Sequence, residues 1–118
     1  MPMIELRYMQ GKISHEEALA VGSKLEDILR VAISQVRPDK DYDVTVEGDP
    51  FGPIAYNQPD LRILVFYHQE WRFTPCELAN LALDMAVGTA RILQNAKLEV
   101  SAKIRFYARA GHVSRSIP

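Results

Sequence analysis

The residue with the most chemical promise in this chain is the second. The sequence opens Met1-Pro2-Met3-Ile4-Glu5-Leu6-Arg7-Tyr8. Once Met1 is removed, Pro2 becomes a secondary amine at the lip of a strand. An α-amino group ordinarily titrates at roughly 7.7–8.0. Burial beside cations lowers that value, because both disfavour the charged form. Such an amine serves as a general base, or as a nucleophile toward carbonyls, near neutral pH. With Met1 in place the same nitrogen is an amide and does neither. A plainer reading stands beside this one: proline at the first position of a strand forfeits no ladder bond. The other reactive types are poorly placed. His15, His68 and His112 have no ligand spacing and no cysteine or paired carboxylates beside them, which argues against a metal site. Cys76 falls in the first turn of a predicted helix, where the dipole can lower a thiol pKa, but no catalytic partner accompanies it. The sequence has no glycine-rich phosphate loop, nucleophile elbow or basic–aromatic stripe.

Composition narrows the classes. The 118 residues suit one domain with a modest core. At 47% hydrophobic and 25% charged, the balance is that of a soluble globular protein. A net charge of −1 gives no global field to draw in nucleic acid or a membrane. One cysteine forms no internal disulfide and points to a reducing, cytoplasmic setting. No apolar run approaches the ~20 residues that span a bilayer, and no basic-then-apolar leader opens the chain.

The elements that must position Pro2 follow from periodicity. Ile4, Leu6 and Tyr8 alternate with Glu5 and Arg7, which predicts a strand. Ser14 and Glu17 form a capping box. Apolar residues at 18, 21, 25, 28, 29, 32, 33 and 36 then make one face of a helix over 15–36, which Pro38 stops. Residues 42–47 alternate again. Gly48 to Pro53 is a turn cluster, and 54–56 is a candidate edge segment. Leu61 to His68 is the strongest strand. Thr74-Pro75-Cys76-Glu77 is a second capping box, with proline at the first helical position. The helix it opens buries Leu78, Leu81, Ala82, Met85, Thr89, Ile92 and Leu93, and stops near Asn95. Gly88 inside it costs about 1 kcal/mol against alanine and marks close contact with the sheet. A last strand covers 98–107, with Leu98, Val100, Ala102, Ile104 and Phe106 on one side. The tail from Gly111 is small and polar.

The two capping boxes lie at 14 and 74, and around each the order strand, loop, helix, turn, strand repeats. The chain reads as two tandem β-α-β units, about 1–60 and 61–118, in a single domain. Each unit joins parallel strands by a right-handed crossover. The fold class is α/β: a four-stranded sheet with both helices on one face. The other face is left bare, to meet water or copies of the same chain.

This arrangement resembles the tautomerase superfamily, which includes macrophage migration inhibitory factor and 5-carboxymethyl-2-hydroxymuconate isomerase. The shared features are Met1-Pro2 opening an alternating strand, the two tandem β-α-β units and the chain length. Arg37-Pro38 lies where that family has Lys-Pro, and Lys103-Ile104-Arg105-Phe106-Tyr107 lies on the strand that supplies pocket residues from a neighbouring subunit. The stretch from His68 to Thr74 is bulkier than the family's small-residue step into the second helix. The resemblance implies a homotrimer with active sites at subunit boundaries. It implies a tautomerase or isomerase of a small keto–enol or unsaturated carboxylic acid, with Pro2 as catalytic base and no cofactor or metal. Arg37, Lys103 and Arg105 would hold a substrate carboxylate and Tyr107 would donate to an oxyanion. For these residues the structural alternatives are a helix-end arginine favoured by the macrodipole, salt bridges and an interface tyrosine. Two rival readings remain: a non-catalytic oligomeric binding or scaffold protein on the same fold, and a ferredoxin-like regulatory domain with antiparallel strand pairing.

Overall fold

Two hydroxyls start the helices. In α1, His15–Val36, the Ser14 Oγ accepts from the Glu17 N–H at 3.1 Å, and Glu17 Oε1 accepts from the Ser14 N–H at 2.9 Å. In α2, Pro75–Asn95, Thr74 and Glu77 repeat the exchange at 3.1 and 2.8 Å. Each box satisfies two N–H groups that a helix start leaves without partners. The computed structural model describes residues 2–38, 44–52 and 57–109.

Among the described residues four strands accompany the helices: β1 Met3–Tyr8, β2 Thr45–Pro50, β3 Leu61–His68 and β4 Ala102–Arg109. The sheet order is β2-β1-β3-β4. β1 pairs parallel with β2, and β3 parallel with β4; β1 and β3 meet antiparallel. The parallel neighbours are those joined through a helix, which sets aside the ferredoxin-like alternative. Strand alternation sends Ile4, Leu6, Tyr8, Leu61, Ile63 and Val65 to one face, where all are buried against Val21, Leu25, Leu29 and Ile33 of α1 and Leu81 and Met85 of α2. Ile104 and Phe106 of β4 join that core as partly buried residues.

Three expectations need correction. The Gly48–Pro53 turn cluster does not begin at Gly48: β2 runs on through Gly48, Asp49 and Pro50. β2 is an edge strand, where a proline costs no ladder bond if its nitrogen faces outward, and Gly48 lies against Leu6 and Leu19. Gly88 does not meet the sheet. A Cβ there would fall 2.5 Å from Ile28 Cδ1, so Gly88 is where α2 crosses α1. The glycine that touches the sheet is Gly22, 2.8 Å from Leu6 Cδ1 and Val46 Cγ1 by the same measure. Finally, β4 starts at Ala102, later than 98. The expected strand residues 42–43, the 54–56 segment and the tail lie outside the described residues. Among those described, no helix is long and apolar enough to cross a membrane.

Candidate active site

Pro2 is fully buried. Its carbonyl accepts a hydrogen bond from the Thr45 N–H at 3.0 Å, which ties the amino end to β2. Alternation puts the Pro2 ring on the helix side of the sheet, in line with Ile4. The antiparallel register sets Met3 against Phe66, so Pro2 stands level with Tyr67 at the end of β3.

From Tyr67 a chain of rings leads outward. Its ring centroid is 5.3 Å from that of Phe73, and Phe73 is 5.9 Å from Trp71, edge-on. Trp71 in turn packs 4.9 Å from His68. A 3-10 turn at Gln69–Trp71, closed by Arg72 in the left-handed region at φ 51°, folds these rings together. The Arg37 guanidinium lies over the Phe73 ring at 5.0 Å. The structure therefore brings Arg37 to the end of the sheet that holds Pro2.

Arg37 is heavily engaged there. Its Nη1 and Nη2 donate to the two Glu77 carboxylate oxygens at 2.9 and 3.2 Å. Its Nε and Nη2 donate to the Trp71 carbonyl at 3.2 and 2.9 Å, and further bonds reach the carbonyls of Arg72 and Val36. All five of its N–H donors have acceptors. The guanidinium closes the end of α1 onto the capped start of α2, in the bidentate geometry that favours arginine over lysine. Its hydrogen bond, followed by that of the Thr74 N–H, pulls the Glu77 carboxyl from its ordinary 4.5 down to about 2. Arg37 therefore has no idle donor, and the Glu77 carboxylate balances its charge.

The other candidates lie elsewhere on the chain. Lys103, Arg105 and Tyr107 are exposed on the open face of β4. Tyr107, 42% exposed, stacks on Phe66 with centroids 5.7 Å apart, and Arg109 covers the same Phe66 ring at 4.5 Å. Tyr107 is level with Phe66 and Met3, one step from Pro2 but on the opposite face and two strands away. Lys103 stands about 13 Å beyond Tyr107 along the strand. Within a single chain, Pro2 and Arg37 lie toward the same end of the sheet without a recorded contact, and the β4 trio lies on the open face.

Several contributors escaped the sequence reading. Tyr67 reads as one more strand residue and Glu77 as a helix cap; no periodicity links Glu77 to a residue 40 positions earlier. Trp71 and Phe73 lie in the bulky stretch before the second helix, and the structure packs them outward from Tyr67. A separate recess of about 670 Å3 lies between α2 and β4, lined by Ala82, Ala86, Leu93 and Val100 among others, and shares only Lys103 with the candidates.

No protein-family model matches the chain, and no curated protein matches it. Solved structures do. A 5-carboxymethyl-2-hydroxymuconate delta-isomerase superposes with a TM-score of 0.62 at 10% identity, over 100% of this chain and 87% of that one. A member of the cis-3-chloroacrylic acid dehalogenase family gives 0.64 at 14% identity, over 97% and 79%. A macrophage migration inhibitory factor-like protein from Entamoeba histolytica gives 0.60 at 11%, over 95% and 91%. The chain has the tautomerase fold. At such identities the likeness lies in backbone layout, and the chemistry of this tautomerase-fold chain has to be argued from its own residues.

Proposed function

We propose that this protein is a tautomerase or isomerase acting on a small keto–enol or unsaturated carboxylic acid, with the Pro2 nitrogen as general base. The observation that carries the reading is the burial of Pro2 at the strand end, level with Tyr67. Once Met1 is cleaved, burial disfavours protonation of the amine. The uncharged nitrogen takes a proton from the carbon α to the substrate carbonyl. The electron pair moves into the enolate, and the proton returns at the vinylogous carbon. No electron acceptor and no cofactor enters that sequence.

The dienolate needs a cation, and the donors of Arg37 are committed to Glu77 and to backbone carbonyls. A second copy of the chain supplies the rest: Arg105 for the substrate carboxylate and Tyr107 as donor to the enolate oxygen. Half-buried Met3, Leu64 and Phe66 form, with Tyr107, an apolar patch on the open face that three copies of the chain would cover. Lys103 stands farther along β4. The setting is cytoplasmic, and neither nucleic acid nor membrane takes part. Ketonisation of phenylenolpyruvate or of a hydroxymuconate tests the reading. Pro2→Ala lowers turnover by about 100-fold or more, the range that a positioned base contributes, with the assembly mass unchanged.

A second reading has one observation in its favour. With every Arg37 donor used internally, Pro2 can be a strand starter and the chain an oligomeric scaffold or binding protein. Equal turnover in Pro2→Ala and the unaltered chain selects it.

A further inference from the structure

Three cations stand abreast on the open face of the sheet. The register pairs Arg7 with Arg62, and Arg62 with Lys103, so β1, β3 and β4 each put a positive side chain at one level. Like charges directly opposite one another destabilise a sheet, so three together call for a counter-charge. The acidic neighbours do not supply it for all three. Glu5 Oε1 takes the Arg7 Nε–H at 3.3 Å. Asp49 is the β2 neighbour of Arg7, on the side away from the other two cations. Asp60 Oδ2 accepts from the Ser101 N–H at 3.0 Å. Neither Arg62 nor Lys103 has an ion pair among the described residues.

Arg62 carries a second signal. Its guanidinium lies over the Phe51 ring at 5.4 Å, which holds the side chain down on the sheet. Its Nε is buried and has no hydrogen-bond partner among the described residues. Buried donors without acceptors are rare and call for a missing partner. An Nε–H with the adjacent Nη–H forms the fork that takes an oxyanion side-on. Lys103 adds a point charge one strand away. Arg7 gives only its Nε to Glu5, so its Nη groups are uncommitted among the described residues.

We propose that the Arg7–Arg62–Lys103 row is a binding site for a small multivalent oxyanion, of the diphosphate or polycarboxylate class. Adjacent strands are 4.7–4.9 Å apart, so the row spans about 10 Å. That span suits a ligand with two or three anionic groups and exceeds what one carboxylate can bridge. The site lies on the face of the sheet opposite Pro2 and does not depend on the chemistry proposed there.

Calorimetric titration of the full chain with inorganic pyrophosphate, and separately with citrate, at fixed ionic strength tests it. The expected result is saturable binding of at least one of them. The tighter of the two names the ligand as phosphate or carboxylate. Arg62→Gln and Lys103→Gln each weaken binding about tenfold or more, and Arg62→Lys weakens it less than Arg62→Gln. Arg30→Gln, on the helix layer beside Glu26 and Asp27, leaves it unchanged. Thermal melts check that each variant folds. Absence of saturable binding by both anions overturns the proposal, as does equal affinity in Arg62→Gln. Loss of the native assembly in Arg62→Gln, with no anion bound by the unaltered chain, would assign the row to contact with another copy instead.

Discussion

Replacing Gly88 by alanine sets two known effects against each other. Alanine is favoured over glycine inside a helix by about 1 kcal/mol. The new methyl group, however, would sit 2.5 Å from Ile28 Cδ1, 3.3 Å from Cγ2 and 3.5 Å from Cγ1. Swinging Cδ1 aside relieves the shortest contact only. Cγ2 is attached at Cβ, and a β-branched side chain in a helix has one strongly preferred χ1. Overpacking of this kind costs about 1–3 kcal/mol. The clash therefore exceeds the propensity gain, and Gly88→Ala destabilises by about 1 kcal/mol net. Ile28→Ala removes Cδ1, Cγ1 and Cγ2 and with them all three contacts. In that background the same glycine substitution becomes neutral or stabilising, a coupling of about 1–2 kcal/mol across the double-mutant cycle. Urea unfolding of the four proteins, with slopes compared to confirm a common unfolded state, measures it. Stabilisation by about 1 kcal/mol in the unaltered background would show that α1 and α2 do not approach each other at this glycine.

Glu77 makes stability depend on acid. Because the Arg37 guanidinium and the Thr74 N–H lower its folded pKa from 4.5 to about 2, its contribution is complete above 4.5 and is lost as pH falls from there toward 2. Glu77→Gln is expected to flatten acid unfolding in that window and to leave the slope near neutrality unchanged, as read by pH-dependent melts. Thr74→Ala deprives the Glu77 N–H of its acceptor at 3.1 Å and lowers stability by about 1 kcal/mol, whereas Thr74→Ser keeps most of it.

The capping boxes made both helices legible, because Ser14–Glu17 and Thr74–Glu77 state their own starting points. Alternation in residues 4–8 and 61–68 separated the buried face from the open one, and the 60-residue repeat supplied the parallel pairs. Pairing between the two halves was not legible. The antiparallel β1–β3 contact sets the register that lines Arg7 up with Arg62, and no local pattern encodes it. Gly48-Asp49-Pro50 has turn composition, yet an edge position lets it continue as strand. Arg37 was visible as a cation at a helix end, but apart from the neighbouring Val36 carbonyl its acceptors come from Trp71, Arg72 and Glu77, which only the packing of α2 beside α1 brings near. At the candidate site the sequence could single out Pro2 and Arg37, whereas Tyr67, level with Pro2, and Phe73, packed on Tyr67, entered only through the fold.

The most direct measurement is the intact mass of the purified protein taken together with ketonisation kinetics. Base catalysis at Pro2 predicts a chain lighter by one methionine and a turnover that collapses in Pro2→Ala. A chain that keeps Met1 and still turns over the enol, or a Pro2→Ala variant as active as its parent, would contradict it.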